Sequence, residues 1–150
     1  MTENEIGKIV VDCAVGLHRE LGPGLLETVY ELLLAHELEQ RGLKVECQVP
    51  VPIEFRGISF DQGFRADMIV EGKVILELKS VESASRAHKK QVLTYLRLTE
   101  MKLGYLLNFG EALMKDGLSR IANGAPEEAA GEPIPTPRRE EAENNGCKAL

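Results

Sequence analysis

The chain of 150 residues has no long apolar run. Its longest stretches, such as Leu32-Leu33-Leu34-Ala35, are far too short to cross a bilayer. The opening Met-Thr-Glu-Asn-Glu lacks the basic start and apolar core of a secretory signal. Cysteine is scarce and odd in number. Cys13, Cys47 and Cys147 are too far apart for a zinc pattern and cannot make a disulfide framework, which fits a reducing cytoplasm. An excess of positive charge is also missing: the net charge of −6 argues against a general nucleic-acid coat protein. No internal repeat is visible. What is present, 43% apolar and 28% charged residues in a chain of this length, is the composition of one soluble domain with a sizeable core.

The charge is uneven. Residues 123–150 carry three basic and six acidic groups, so half of the excess lies there. That segment is rich in Pro, Glu and Ala and poor in large apolar groups, and it reads as a disordered tail behind a domain of residues 1–122. Between Ser83 and Thr99 there is no acid, whereas Arg86, Lys89, Lys90 and Arg97 all fall there. A basic helix on an acidic protein is either a solvated face or a guide for a phosphate backbone.

Residues 5–20 carry Ile6, Ile9, Val10, Cys13 and Leu17 at helical spacing, and Leu21-Gly22-Pro23-Gly24 ends that helix. A second helix is expected over 25–41 with Gly42 as its stop. Val45 to Phe55 reads as a strand, confined by Pro50 and Pro52 to an edge or an interrupted ladder. A turn at Arg56-Gly57 leads to Ile58-Ser59-Phe60. Ser83 or Ser85 can cap a helix running to about residue 100, residues 103–109 form a buried strand, and residues 111–122 hold a short element of open type. The order of elements gives an α/β or α+β domain with a central mixed sheet flanked by helices.

The segment from Phe64 to Lys79 reads as two apolar strands joined by a tight turn, interrupted by Asp67, Glu77 and Lys79. Residues two apart on a strand share a face, so Glu77 and Lys79 point together, away from Leu76 and Leu78. Asp67 joins them only if the connection contains an odd number of residues. A three-residue loop, Val70-Glu71-Gly72 with Gly72 left-handed, is the expected form; a two-residue Glu71-Gly72 turn would put Asp67 on the other face. Two carboxylates and an ammonium on one partly buried face are costly unless paired or bound to a cation. They suggest a hard metal ion held by oxygens with an amine beside it. A plain ion pair at a sheet edge is the bland alternative.

Asp67…Glu77-x-Lys79 resembles the core motif of the PD-(D/E)XK nuclease superfamily. Gly24-Leu25-Leu26-Glu27-Thr28-Val29-Tyr30 resembles the signature of the GxxExxY protein family assigned to it. The segments around Leu17-His18-Arg19-Glu20-Leu21 and Leu107-Asn108-Phe109-Gly110 are similar to that family too, and the resemblance covers residues 5–122. It implies a restriction-endonuclease-like core and a nuclease that uses Mg²⁺ or Mn²⁺. Asp67 and Glu77 would ligate the ion, with the Leu78 main-chain carbonyl and Glu27 as further ligands. Lys79 would position the attacking water and neutralise phosphate charge. Gln91 and Tyr95 match a QxxxY element that positions substrate, with Tyr30 supporting the site. Ala66 stands where the name-giving motif has Pro. The implied partner is nucleic acid, DNA before RNA, along the basic helix of residues 86–97. A homodimer or a protein partner would supply affinity that an acidic chain lacks. The competing class is a catalytically silent module that keeps the fold to bind nucleic acid or a protein. His18 and His36 read as structural, and His88 as a surface residue.

Overall fold

The computed structural model describes residues 1–127. Helix α1 spans Glu3–Leu21 and starts two residues earlier than its apolar periodicity suggests. Thr2 accounts for the difference: its hydroxyl accepts from the Glu5 amide while the Glu5 carboxylate accepts from the Thr2 amide, a reciprocal cap. Helix α2 runs Glu27–Gln40 and β1 Val45–Phe55. Strand β2 is one long element, Ile58–Val70, followed by β3 (Val74–Lys79) and α3 (Arg86–Thr99). Of the two serines that could cap α3, Ser85 does so: its hydroxyl accepts from the His88 amide, and the His88 ring accepts from the Ser85 amide. His88 is therefore spent on the helix start. The segment of open type contains a single helical turn, α4 (Met114–Gly117), and a strand, β5 (Leu118–Ala122).

The five strands form one mixed sheet in sequence order, β1-β2-β3-β4-β5, where β4 is Leu103–Asn108. Only β3 and β4 run parallel, because α3 lies between them and supplies the crossover that a parallel pair requires. Their burial is correspondingly continuous: every residue from Val74 to Leu78 and from Leu103 to Asn108 is buried. β1 is an edge strand, where Pro50 and Pro52 cost no ladder bond on an inner strand, and its register with β2 shifts between Val51 and Ile53.

Helices cover both faces of the sheet. One large core joins α1 and α2 to Met68, Val70, Leu76, Leu78, Tyr105 and Leu107. A smaller one joins α3, through Val92 and Leu96, to Ile75, Ala66 and Val51. Glycine allows both approaches. The Tyr105 hydroxyl occupies the space that a Cβ at Gly7 of α1 would need, and Gly104 of β4 lies against Val92 of α3. His18 is buried at the end of α1, and its ring nitrogen donates to the Glu111 carbonyl at 2.8 Å, tying α1 to the loop after β4. Burial holds the imidazole pKa below its usual value, against the pull of the Glu111 and Phe109 carbonyls, which keeps it in a structural role.

The backbone stays tied past the expected domain boundary at residue 122. The Asn123 amide donates to Lys102 and its side chain to Met101, and the Pro126 carbonyl accepts from Arg120 and Asn4. The rest of the expected disordered tail, from residue 128 onward and including Cys147, lies outside the described residues.

Candidate active site at a fork in the sheet

The hairpin between β2 and β3 has the odd loop that the site demands, displaced by one residue from the expected form. Val70 pairs with Val74, so the loop is Glu71-Gly72-Lys73. Gly72 is left-handed, φ 65°, and Glu71 joins it at φ 54°. Glu71 tolerates that backbone because it is anchored: its amide donates to the Lys44 carbonyl, and its carboxylate accepts from the Lys44 amide. Local anchoring outweighs the preference for glycine at this one position.

The β2–β3 ladder runs from Val70↔Val74 to Met68↔Leu76 and then stops. Beyond it β2 continues beside β1, and β3 continues beside β4 as far as Lys79↔Asn108. Asp67 and Glu77, the next positions across the hairpin, stand where the sheet forks. Their side chains replace the missing ladder: Asp67 Oδ2 accepts from the Leu78 amide at 2.9 Å, and Glu77 Oε1 accepts from the Asp67 amide at 3.3 Å. Each carboxylate is thus positioned by the backbone that carries the other.

Glu77 is 6% exposed. Burial, and next the charge of Asp67, push its pKa up from 4.5 to about 8, while Lys79 pulls it down. At neutral pH Glu77 keeps its proton when no cation is present. Lys79 is half-buried two residues along the same strand. Among the described residues the only ion pair within 4.0 Å is Lys44–Glu46, so Lys79 acts on Glu77 from beyond contact. Ionised together, the two carboxylates would carry more negative charge than their one ammonium offsets.

Two helices reach the fork, one from each face. From α3 comes Tyr95, whose ring stacks on Phe64 of β2 at 3.8 Å and 5°. Burial and the charges of Glu77 and Asp67 raise its pKa, and a hydrogen bond with the Gln91 side chain lowers it. Gln91 and Tyr95 thus lie within the field of the acid pair. From α2 comes Glu31. Gln48 of β1 donates through Nε2 to both Glu31 oxygens at 3.1 Å, and the same nitrogen lies 3.5 Å from Asp67 Oδ1. Burial raises the Glu31 pKa, and so do the charges of Asp67 and Glu27, whereas Gln48 lowers it. Gln48 can make this bridge because it leaves the extended conformation, at φ 52°.

Glu31 is not among the residues that the sequence singles out. The available signal is its place one helical turn beyond Glu27, which puts both acids on one side of α2. Gln48 has no sequence signal, since nothing marks a strand glutamine as left-handed. Glu27 itself is exposed at the first position of α2. Among the described residues no three His, Cys, Asp or Glu side chains converge on one point, so neither Glu27 nor Glu31 joins Asp67 and Glu77 as a third acid there.

Tyr30 does not face the fork. It is fully buried and stacks on Phe109 at 4.4 Å; its hydroxyl donates to the Gly22 carbonyl at 2.6 Å and accepts from the Leu25 amide. A side chain with no exposed surface touches no substrate, so Tyr30 positions the loop that leads into α2. Arg86, Lys89, Lys90 and Arg97 of α3 are all exposed, and at 3.6 residues per turn they sit roughly 140° around the helix from Gln91 and Tyr95.

A mixed sheet with helices on both faces, forking over an acid pair with a lysine two residues on, is a restriction-endonuclease-like arrangement. The family model described as the PD-(D/E)XK nuclease superfamily matches residues 4–121, and the chain belongs to that superfamily. No curated protein and no solved structure matches it.

Proposed function

We propose that the protein is a nuclease of the GxxExxY type that hydrolyses phosphodiester bonds, in DNA rather than RNA, with Mg²⁺ or Mn²⁺. The observation that carries this reading is the acid pair at the fork. Two carboxylates face each other there, one of them buried with its pKa at about 8, and a single lysine nearby would offset only part of their charge once both were ionised. A divalent cation suits such a donor set, because it offsets the burial cost and the repulsion that otherwise keep Glu77 protonated.

Asp67, Glu77 and the Leu78 carbonyl are the residues that would hold the ion, with Glu31 or Glu27 approaching from α2. Bound there, it supplies Lewis acidity toward a phosphoryl oxygen and toward the attacking water. Lys79 places positive charge beside the phosphate, where negative charge grows during displacement. Gln91 and Tyr95 hold one side of the substrate from α3, and Tyr30 keeps the approach from α2 in place. The exposed basic flank, Arg86, Lys90 and Arg97, guides the backbone of the nucleic acid from outside the site. Two unpaired thiols, Cys13 and Cys47, accord with a cytoplasmic protein.

The test is cleavage of DNA and of RNA by wild type, Asp67→Asn and Glu77→Gln with Mg²⁺, beside calorimetric metal binding. Loss of a carboxylate ligand is expected to lower the rate by about a thousandfold, in line with removal of one strong electrostatic contributor. Folded wild type that binds no metal and cuts neither polymer would instead establish the silent module. A homodimer or protein partner that supplies affinity would show as a concentration-dependent rate or a change of mass in solution.

A further inference from the structure

We infer that the cleft beside the fork is a subsite for an unpaired nucleobase, so that the substrate presents single-stranded nucleotides; this rests on the nuclease reading above. The cleft measures about 710 Å³, within the range of small-ligand sites. Its walls are the Pro23–Thr28 loop and helix start on one side and Ser80, Val81, Glu82 and Gly110 on the other. It adjoins the catalytic strand directly, since Ser80 follows Lys79 and Glu27 lies a helical turn before Glu31.

Leu26 contributes an exposed apolar side chain to this wall. It occupies the N-cap of α2, where a side chain able to accept a hydrogen bond is preferred, and it makes none. It is instead 74% exposed on the cleft wall. On that wall it offers an apolar surface to a ligand in the cleft. The wall is also built in advance of binding. Leu25 is held at both ends: its amide donates to the Tyr30 hydroxyl, and its carbonyl accepts from Ser80 Oγ at 2.6 Å. A preformed wall lowers the ordering cost of binding.

Charge decides which part of a nucleotide enters. Glu27 and Glu82 line the cleft, so a phosphate is repelled from it and belongs at the fork. A base is neutral, has an apolar face for Leu26 and Pro23, and carries amino or imino donors that a carboxylate accepts. A base reaches such a cleft only when it is unpaired or has been drawn from its stack.

The test compares Leu26→Ser with wild type, full-length and with Mg²⁺, on a short DNA single strand and on the same sequence as a blunt duplex. Wild type is expected to favour the single strand about tenfold, and Leu26→Ser to raise KM for it about tenfold with kcat little changed. Its melting temperature should hold or rise, because serine supplies the missing cap. An unchanged KM, or equal use of both substrates by wild type, overturns the subsite and leaves the nuclease reading standing. If wild type cuts neither, titration of a 2-aminopurine-labelled single strand still decides. Binding about tenfold weaker in Leu26→Ser supports the subsite, and equal binding overturns it.

Discussion

The two faces of the sheet divide the work of the molecule unequally. The face under α1 and α2 buries 21 residues in one cluster, and the buried rings on that side have partners: His18 in Glu111, Tyr30 in Gly22 and Leu25. The face under α3 buries five in its own cluster, and Glu77 emerges beside it with Tyr95 stacked at its rim. Folding energy is concentrated on the dry face, which leaves the thin face free to hold charges that oppose folding. An acid with its pKa at about 8 is tolerable where the surrounding core contributes little, because the opposite face keeps the sheet intact.

Equal substitutions on the two faces should therefore differ. Leu34 on α2 and Leu96 on α3 are both fully buried. Truncation of a core leucine to alanine costs about 3–5 kcal/mol where the surroundings cannot collapse and about 2–3 where they can. We expect Leu34→Ala at the upper end and Leu96→Ala at the lower, measured by urea unfolding. Equal losses would mean that the α3 face is packed as rigidly as the other, and the division between the faces would fall.

The periodic parts of this arrangement are legible in the sequence, whereas the parts that depend on backbone exceptions are not. The two early helices follow from helical periodicity and the paired strands from alternation, and alternation with an odd loop puts Asp67, Glu77 and Lys79 on one face. Parity cannot distinguish two odd loops that differ by one residue. The choice falls on Glu71 because two hydrogen bonds to Lys44 hold it left-handed, and Lys44 lies 27 residues away in sequence. The link from Glu31 to Asp67 depends on Gln48 at φ 52°, a conformation that no composition or spacing announces. Tyr30 holds a motif position that sequence alone does not separate from packing, and its stacking on Phe109 decides the matter.

The charged face should also be visible as a pH dependence. Glu77 has its pKa at about 8 in the fold and 4.5 as an ordinary glutamate, so over that interval the native state holds the proton more tightly. Stability falls with rising pH wherever the native state binds more protons. The contribution of Glu77 is therefore complete below about pH 4.5 and is lost as pH rises through about 8. Relative to Glu77→Gln, which cannot ionise, metal-free wild type should lose several degrees of melting temperature across that window, at about 2–4 °C per kcal/mol for a chain of this length. Mg²⁺ should restore the loss in wild type and do little for the variant. Parallel melting curves for the two metal-free proteins would remove the buried acid pair from the account.

The smallest expected effect tests where the two faces meet. Glu31 comes from the large-core side and reaches Asp67 only through Gln48, whereas Glu27 occupies the motif position but is exposed at the helix start. If Glu31 is the α2 acid that serves the ion, Glu31→Gln should weaken Mg²⁺ binding and lower the rate about tenfold, the lower range for groups that orient metal ligands. Glu27→Gln should then change the rate only a few-fold, through the cleft that it lines, and Gln48→Ala should reproduce part of the Glu31 effect by cutting the bridge. Calorimetry separates the two acids, since Glu31 acts on the ion and Glu27 on the substrate: the first changes metal affinity, the second KM. A larger metal-binding loss in Glu27→Gln would mean that α2 advances by a turn when the ion binds. The thin face would then close by moving the thick one, and the independence of the two faces would end at the fork.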